Sequence, residues 1–137
     1  MLNWTMNEIR LLIIEEHQAV RRALQTRLQS SSNLEVVAVY PSAAEWQAQR
    51  QLSNKAPCAD VALLGLKGSR QRPVHDIIQD IKAFQNEGAA VIVLASVADD
   101  IERELALQAG AQRYLLKDIN SIHLIAEIEA LAAAPPS

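Results

Sequence analysis

Cysteine, glycine and long apolar runs are all scarce in this chain of 137 residues. The single cysteine excludes an internal disulfide and favours a cytoplasmic setting. The four glycines, Gly65, Gly68, Gly88 and Gly110, cannot form GxGxxG or a GxxxxGKS/T motif, which excludes a glycine-rich phosphate-binding loop. No apolar run could span a bilayer, and the opening MLNWTMNEIR lacks the basic and apolar segments of a signal peptide.

Strong charge of one sign is also absent. The chain has 13 Lys and Arg against 16 Asp and Glu, a net charge of −3, so no strong positive field attracts nucleic acid. Half of the residues are hydrophobic and 21% are charged, as is usual for a globular domain. We therefore expect one folded domain, without a membrane segment and without nucleic-acid contacts in these residues.

Short apolar runs alternate with longer amphipathic stretches. Runs that are apolar throughout fit a parallel sheet covered on both faces. Because the alternation repeats about five times, it predicts an α/β fold, a doubly wound five-stranded parallel sheet in a three-layer sandwich. The predicted strands are residues 9–14, 34–40, 60–66, 89–95 and 113–116.

These elements define one predicted domain over residues 9–131. Residues 1–8 form an N-terminal extension ahead of the first strand. The segment AAAPPS at 132–137 reads as a C-terminal linker or tail.

The predicted helices carry local start and stop signals. Ser42 and Glu45 have the spacing of a capping box. Asp99 lies at the predicted start of a helix, where its negative charge interacts favourably with the helix dipole, and Gly110 is predicted to end that helix. Ser121 is predicted to cap the last helix.

The carboxyl ends of parallel strands meet at one crevice, where α/β proteins bind their ligands. Two carboxylates facing a lysine there could hold a divalent cation or a phosphate. The stretches expected to meet are Glu15-Glu16, Gly65 to Gly68, Ala95-Ser96 and Lys117-Asp118.

The motif RYLLKD at 113–118, after AGA at 109–111, resembles response-regulator receiver domains of the CheY-like superfamily, in particular the NarL/LuxR type. The resemblance covers about residues 9 to 131. It implies a flavodoxin-like (βα)5 fold with an acidic pair after the first strand and an aspartate, in a DLxMP-like motif, ending the third. That aspartate takes a phosphoryl group from a histidine kinase. A Thr or Ser, a switch aromatic and a lysine complete the family's site.

Several positions match this pattern. Lys117 corresponds to the lysine of the site and Tyr114 to the switch aromatic three residues before it. Glu15 and Glu16 correspond in charge to the acidic pair, where the family mostly has aspartates.

Two positions depart from the pattern. Gly65 falls on the phospho-acceptor and Ala95 on the Thr or Ser, and GLKGS replaces DLxMP. Gly65 supplies no nucleophilic oxygen and removes one carboxylate from the metal shell. Ala95 cannot donate a hydrogen bond to a phosphoryl oxygen. We therefore expect neither aspartyl phosphorylation nor a cofactor. Magnesium binding is not expected either, and the candidate ligands of such an ion are Glu15 and Glu16.

Lys117 then needs another counter-charge. A glutamate is one methylene longer than an aspartate, so Glu15 or Glu16 could reach the space above Gly65. We predict an ion pair between Lys117 and one of these glutamates. Tyr114 is then interpreted as a half-buried strand residue in preference to a working switch.

The resemblance implies an atypical receiver, a pseudo-receiver, in two-component-type signal transduction that acts through protein partners and is not an enzyme. Since LuxR-type receivers usually precede a DNA-binding domain, it could be the regulatory module of a transcription factor. A homodimer could use the first and last helices, and the rival surface is the helix of residues 99–108 with the Tyr114 strand. The charges proposed for the first surface are Arg21, Arg22 and Arg27 against Glu127 and Glu129.

Two alternatives stay open. The chain could be an active phospho-receiver with magnesium and a non-standard acceptor, for which Ser69 and Ser96 are candidates. It could instead be a domain that senses a small molecule in the emptied crevice.

Overall fold

The computed structural model describes residues 8–52, 59–66 and 74–133. Most of the predicted extension and tail, residues 1–7 and 134–137, lies outside the described residues, as does Ser69. Strands and helices alternate strictly along the described chain: β1 (Ile9–Ile14), α1 (Gln18–Gln29), β2 (Leu34–Tyr40), α2 (Ala43–Leu52), β3 (Val61–Gly65), α3 (Val74–Asn86), β4 (Ala90–Ala95), α4 (Asp100–Ala109), β5 (Arg113–Leu116) and α5 (Ser121–Ala133).

The five strands form one sheet in the order β2-β1-β3-β4-β5, and all neighbours are parallel. Each strand begins and ends within one residue of its prediction, which confirms the predicted sheet. The strand order reverses direction between β1 and β3. The carboxyl ends of these two central strands therefore border the crevice where doubly wound sheets bind ligands.

Helices cover both faces of the sheet. On one face α2 and α3 pack through Trp46 and Phe84, whose ring centroids are 4.4 Å apart, with Ile81 beside them. On the other face α1 and α5 contribute the buried Leu28 and Ile128. Because the strands are covered on both sides, their apolar runs are continuous. None of the helices within the described ranges is long and apolar enough to cross a membrane.

Local capping explains where the helices begin and end. Ser42 Oγ accepts a hydrogen bond from the Glu45 amide at 3.2 Å, which confirms the start of α2. Asp99 Oδ1 accepts bonds from two amides of the first turn of α4, both at 3.0 Å. Gly110 ends α4 in the left-handed conformation, with φ of 118°.

The predicted cap of α5 is wrong by one residue. Asn120 Oδ1 accepts a hydrogen bond from the His123 amide at 2.9 Å, and Ser121 is the first residue inside the helix. The asparagine carbonyl reaches the third amide beyond it, which is the geometry of an N-cap. Asn120 therefore occupies the N-cap position that was predicted for Ser121.

Candidate functional site

The sheet register brings three of the predicted site residues together. Ile14 of β1 lies opposite Leu64 of β3, so the next residues, Glu15 and Gly65, stand level at the carboxyl edge. Lys117 follows β5, and its amide donates to the Ala95 carbonyl of β4 at 2.8 Å. The lysine side chain then extends across the strand ends to the carboxylate of Glu15.

Glu15 and Lys117 form a buried ion pair. Lys117 Nζ lies 2.8 Å from Glu15 Oε1, and the two side chains are 16% and 1% exposed. Apart from this ion pair, Oε1 has no hydrogen-bond donor within the described part of the chain. The other carboxylate oxygen, Oε2, accepts a bond from the His17 amide at 2.9 Å. The predicted lysine–glutamate ion pair is present, and its acidic member is Glu15.

The same carboxylate fills the space above Gly65. A Cβ atom added at Gly65 would overlap Glu15 Oε1 and would lie only 3.1 Å from Glu15 Cδ. The end of β3 carries no side chain at Gly65, and the carboxylate of Glu15, the residue that follows β1, occupies that space. This arrangement depends on the length of the glutamate side chain.

Arg21 is a site residue that the sequence analysis placed on an exposed surface. It lies in the first turn of α1, and its Nη1 donates to the carbonyl oxygens of Glu15 and Glu16 at 2.8 and 3.2 Å. These bonds fix the turn between β1 and α1, because they join consecutive carbonyl groups to one guanidinium. Arg21 therefore supports the backbone that presents Glu15.

Glu16 points to a different part of the crevice. It is exposed and lines a cavity of about 300 Å³ beside Gly65, together with Ser42, Gln47 and Asp80. The cavity is bounded by α2 on its outer side. The two glutamates of the acidic pair therefore have separate surroundings, one toward Lys117 and one toward this cavity.

Glu15 and Gly65 do not offer the free oxygen ligands that a magnesium ion needs. Magnesium requires near-octahedral coordination by oxygen, usually with carboxylates as the protein ligands. Both oxygens of Glu15 face cationic or N–H groups, and Gly65 contributes no carboxylate. Within the described ranges no group of three or more His, Cys, Asp or Glu side chains could hold a metal ion.

Ala95 and Tyr114 lie on β4 and β5 beside the site. Ala95 is buried and carries no hydroxyl. The Tyr114 hydroxyl donates to Oε1 of the buried Glu102 of α4 at 2.6 Å. Burial, followed by this hydrogen bond, raises the pKa of Tyr114 well above its ordinary value. Tyr114 is thus partly buried and hydrogen-bonded to α4. The role of Glu102 was not predicted from the sequence, because in DDIERE it is indistinguishable from the other surface charges.

Curated relatives of this chain are bacterial regulatory proteins. A nitrate/nitrite response regulator protein homolog from Haemophilus influenzae is 26% identical over 129 residues, covering 92% of this chain and 58% of the relative. The transcriptional regulatory protein LiaR from Bacillus subtilis is 27% identical, with coverage of 93% and 58%. The chain thus spans little more than half the length of these relatives.

Solved structures share the fold at low sequence identity. The signal receiver domain of NarL from Mycobacterium tuberculosis superposes with a TM-score of 0.75 at 19% identity, covering 94% of this chain and 99% of that one. A LuxR-family DNA-binding response regulator from Staphylococcus aureus gives 0.71 at 16% identity, with coverage of 90% and 98%. The model of the response regulator receiver domain matches residues 11–129. With the fold and the position of Lys117 in agreement, this chain belongs to the response regulator receiver domain family.

Proposed function

We propose that this chain is a pseudo-receiver, a receiver domain of two-component-type signal transduction that acts through protein contacts without aspartyl phosphorylation. The observation that carries the proposal is the end of β3, where Gly65 has no side chain and the Glu15 carboxylate fills the space above it. Lys117, the cation that would face a phosphoryl group, is paired with Glu15 at 2.8 Å.

The chemistry of phosphoryl transfer supports this proposal. A receiver needs a carboxylate oxygen as nucleophile, cations to neutralise the phosphoryl oxygens, and donors positioned around them. Gly65 supplies no nucleophile, Ala95 supplies no donor, and the charge of Lys117 is already compensated. Since Glu15 and Gly65 do not offer the free oxygen ligands that magnesium needs, we propose that the domain works without a metal or other cofactor.

Intact mass spectrometry tests the proposal directly. The chain is incubated with acetyl phosphate and magnesium beside a receiver that carries the acceptor aspartate. We expect the mass of one phosphoryl group to appear on the control protein and not on this chain. A phosphoryl adduct on this chain, whether labile or stable to alkali, would contradict the proposal and favour a non-standard acceptor.

We also propose that the domain regulates a LuxR-type transcription factor. Both curated relatives described above are named as regulators, and this chain matches little more than half of each. The net charge of −3 gives these residues no overall positive field to attract DNA. Contacts with DNA would then belong to another part of the regulator.

Three of the five charged residues proposed for the α1–α5 surface, both of its glutamates among them, have partners within the chain. Glu127 forms an ion pair with Arg113 at 2.7 Å, and Glu129 accepts a hydrogen bond from Asn33 at 3.0 Å. Arg21 is bonded to the β1–α1 turn. Charge complementarity between α1 and α5 of two copies therefore has little support.

The α4 surface has more support as the contact with a second copy. Ile101, in the first turn of α4, is 73% exposed, and Val97, in the loop that precedes the helix, is 70% exposed. Arg103 and Glu104 are exposed on the same helix, so α4 presents charges of both signs beside its apolar residues. Such a mixed surface can be complementary to itself across a two-fold axis. We propose a homodimer through α4.

A further inference from the structure

Gly65 adopts a backbone conformation that any residue could adopt. The positive φ angles of the described glycines are those of Gly88 and Gly110. The φ angle of Gly65 therefore gives no reason for a glycine at the end of β3. The neighbouring atoms do, because the nearest atom to an added Cβ is Glu15 Oε1, followed by Glu15 Cδ and the Ile14 carbonyl oxygen, each at 3.1 Å.

Glu15 is held where it meets Gly65. Its carboxylate contacts Lys117 Nζ at 2.8 Å and the His17 amide at 2.9 Å. Its backbone is fixed as well, since its amide donates to the Tyr40 carbonyl at 3.0 Å and its carbonyl accepts from Arg21 at 2.8 Å. With the side chain 1% exposed, the carboxylate cannot turn away to solvent without losing these contacts.

We propose that Glu15 acts as a built-in anion that excludes any side chain from position 65. The proposal rests on the pseudo-receiver function, and it attributes the loss of the phospho-acceptor site to Glu15 and Gly65. The carboxylate takes the space of an acceptor side chain, and its charge takes the place of the anion that Lys117 would otherwise bind. An aspartate at position 15 would withdraw the carboxylate by about 1.5 Å, one carbon–carbon bond.

A double-mutant cycle measures the steric part. Gly65→Ala is introduced into the wild-type chain and into Glu15→Asp, and thermal unfolding is recorded. We expect Gly65→Ala to lower the melting temperature by about 5 °C or more in the wild type and by less than half as much beside Asp at position 15. Equal losses in the two backgrounds, or no loss in the wild type, would overturn the proposal.

Gly88→Ala is the matched control for this cycle. Nothing lies within 4 Å of a Cβ at Gly88, and its φ of 88° makes the substitution unfavourable for a purely local reason. Its cost should therefore be the same in both backgrounds. The cycle measures the contact between residues 15 and 65, whereas the mass experiment detects phosphorylation. A negative result in the cycle can therefore be told apart from a phosphoryl adduct in the mass experiment.

Chemical rescue measures the charge part. Glu15→Ala removes the carboxylate and leaves Lys117, whose side chain is 16% exposed and so keeps some contact with solvent. We expect formate to raise the melting temperature of Glu15→Ala in a saturable way, beyond chloride of equal ionic strength, and to have no such effect on Glu15→Ala/Lys117→Met. The same response to formate and chloride, or the same rescue without Lys117, would overturn this assignment.

Discussion

At the scale of single residues, the Glu15–Lys117 pair is the least exposed ion pair described in this chain. Removing two charges from water is costly, and the attraction between them only partly offsets that cost. Such a pair contributes little net stability, yet the loss of one member leaves the other uncompensated. An unpaired Glu15 carboxylate is more costly than an unpaired Lys117 ammonium group, because Lys117 retains some contact with solvent.

Lys117→Met should therefore be strongly destabilising. The substitution leaves the Glu15 carboxylate with the His17 amide as its remaining described donor, at a cost of about 3–5 kcal/mol in the free energy of unfolding. Urea denaturation measures this cost. The matched control is Arg10→Met, which breaks the exposed Arg10–Asp60 pair at 3.8 Å and should cost about 0–1 kcal/mol. Equal losses in the two variants would contradict the prediction.

At the scale of elements, the hydrogen bond between Tyr114 and Glu102 joins β5 to α4. The tyrosine hydroxyl donates to Glu102 of the helix at 2.6 Å, and Ala95, at the end of the neighbouring strand β4, carries no hydroxyl. Tyr114 is therefore held by α4, and β4 ends without the Thr or Ser hydroxyl that would couple a switch aromatic to the site. This contact supports the interpretation of Tyr114 as a structural residue.

Tyr114→Phe should lower stability and change its pH dependence. Leaving the buried Glu102 oxygen without its donor costs about 1–3 kcal/mol. Because burial raises the pKa of Tyr114 in the folded state, the unfolded chain loses the tyrosine proton first, near its ordinary value of about 10. The stability that Tyr114 contributes is thus complete below about pH 10 and is lost as the pH rises through its folded pKa.

Urea denaturation between about pH 8 and about pH 11 tests this dependence. The stability difference between the wild type and Tyr114→Phe should shrink above about pH 10. Subtracting the variant removes the contribution of other groups that titrate in this range. A difference that stays constant or grows with pH would contradict the prediction.

At the scale of the whole molecule, the sheet separates two candidate contact surfaces. The α4 surface lies on one face with Ile101, and α1 and α5 lie on the other with Ile122. The two isoleucines are similarly exposed, at 73% and 79%, and each occupies the first turn of its helix. They therefore form a matched pair for testing which surface a second copy contacts.

Sedimentation equilibrium of the two glutamate variants distinguishes the surfaces. Ile101→Glu should weaken self-association at least tenfold, because a charge would be buried in the interface, whereas Ile122→Glu should leave it unchanged. Adding acetyl phosphate and magnesium should not alter the wild-type association. A wild-type chain that stays monomeric, or weakening by Ile122→Glu alone, would contradict an α4 homodimer.

Much of the fold could be predicted because its signals are local. The apolar runs located all five strands to within one residue, and the Ser42–Glu45 spacing and Gly110 marked helix ends that the structure confirms. Each of these signals depends on backbone groups a few residues apart. The assignment of the α5 cap to Ser121 was wrong because Asn120 offers an equally suitable acceptor one position earlier.

The site was predictable only in part. The residue types and strand ends predicted an ion pair of Lys117 with a glutamate, yet not which one. The roles of Arg21 and Glu102 were missed, since an arginine and a glutamate on amphipathic helices are indistinguishable from surface charges until the packing is known.

The sequence by itself determined the alternating α/β architecture, the strand ends that carry the site, and the absence of a nucleophile at Gly65. These properties follow from side-chain chemistry and from periodicity along the chain. Only the tertiary structure decided that Glu15 covers Gly65, because that contact brings the side chain that follows β1 over the backbone at the end of β3, fifty residues away in the sequence. Its geometry depends on strand register and side-chain length together.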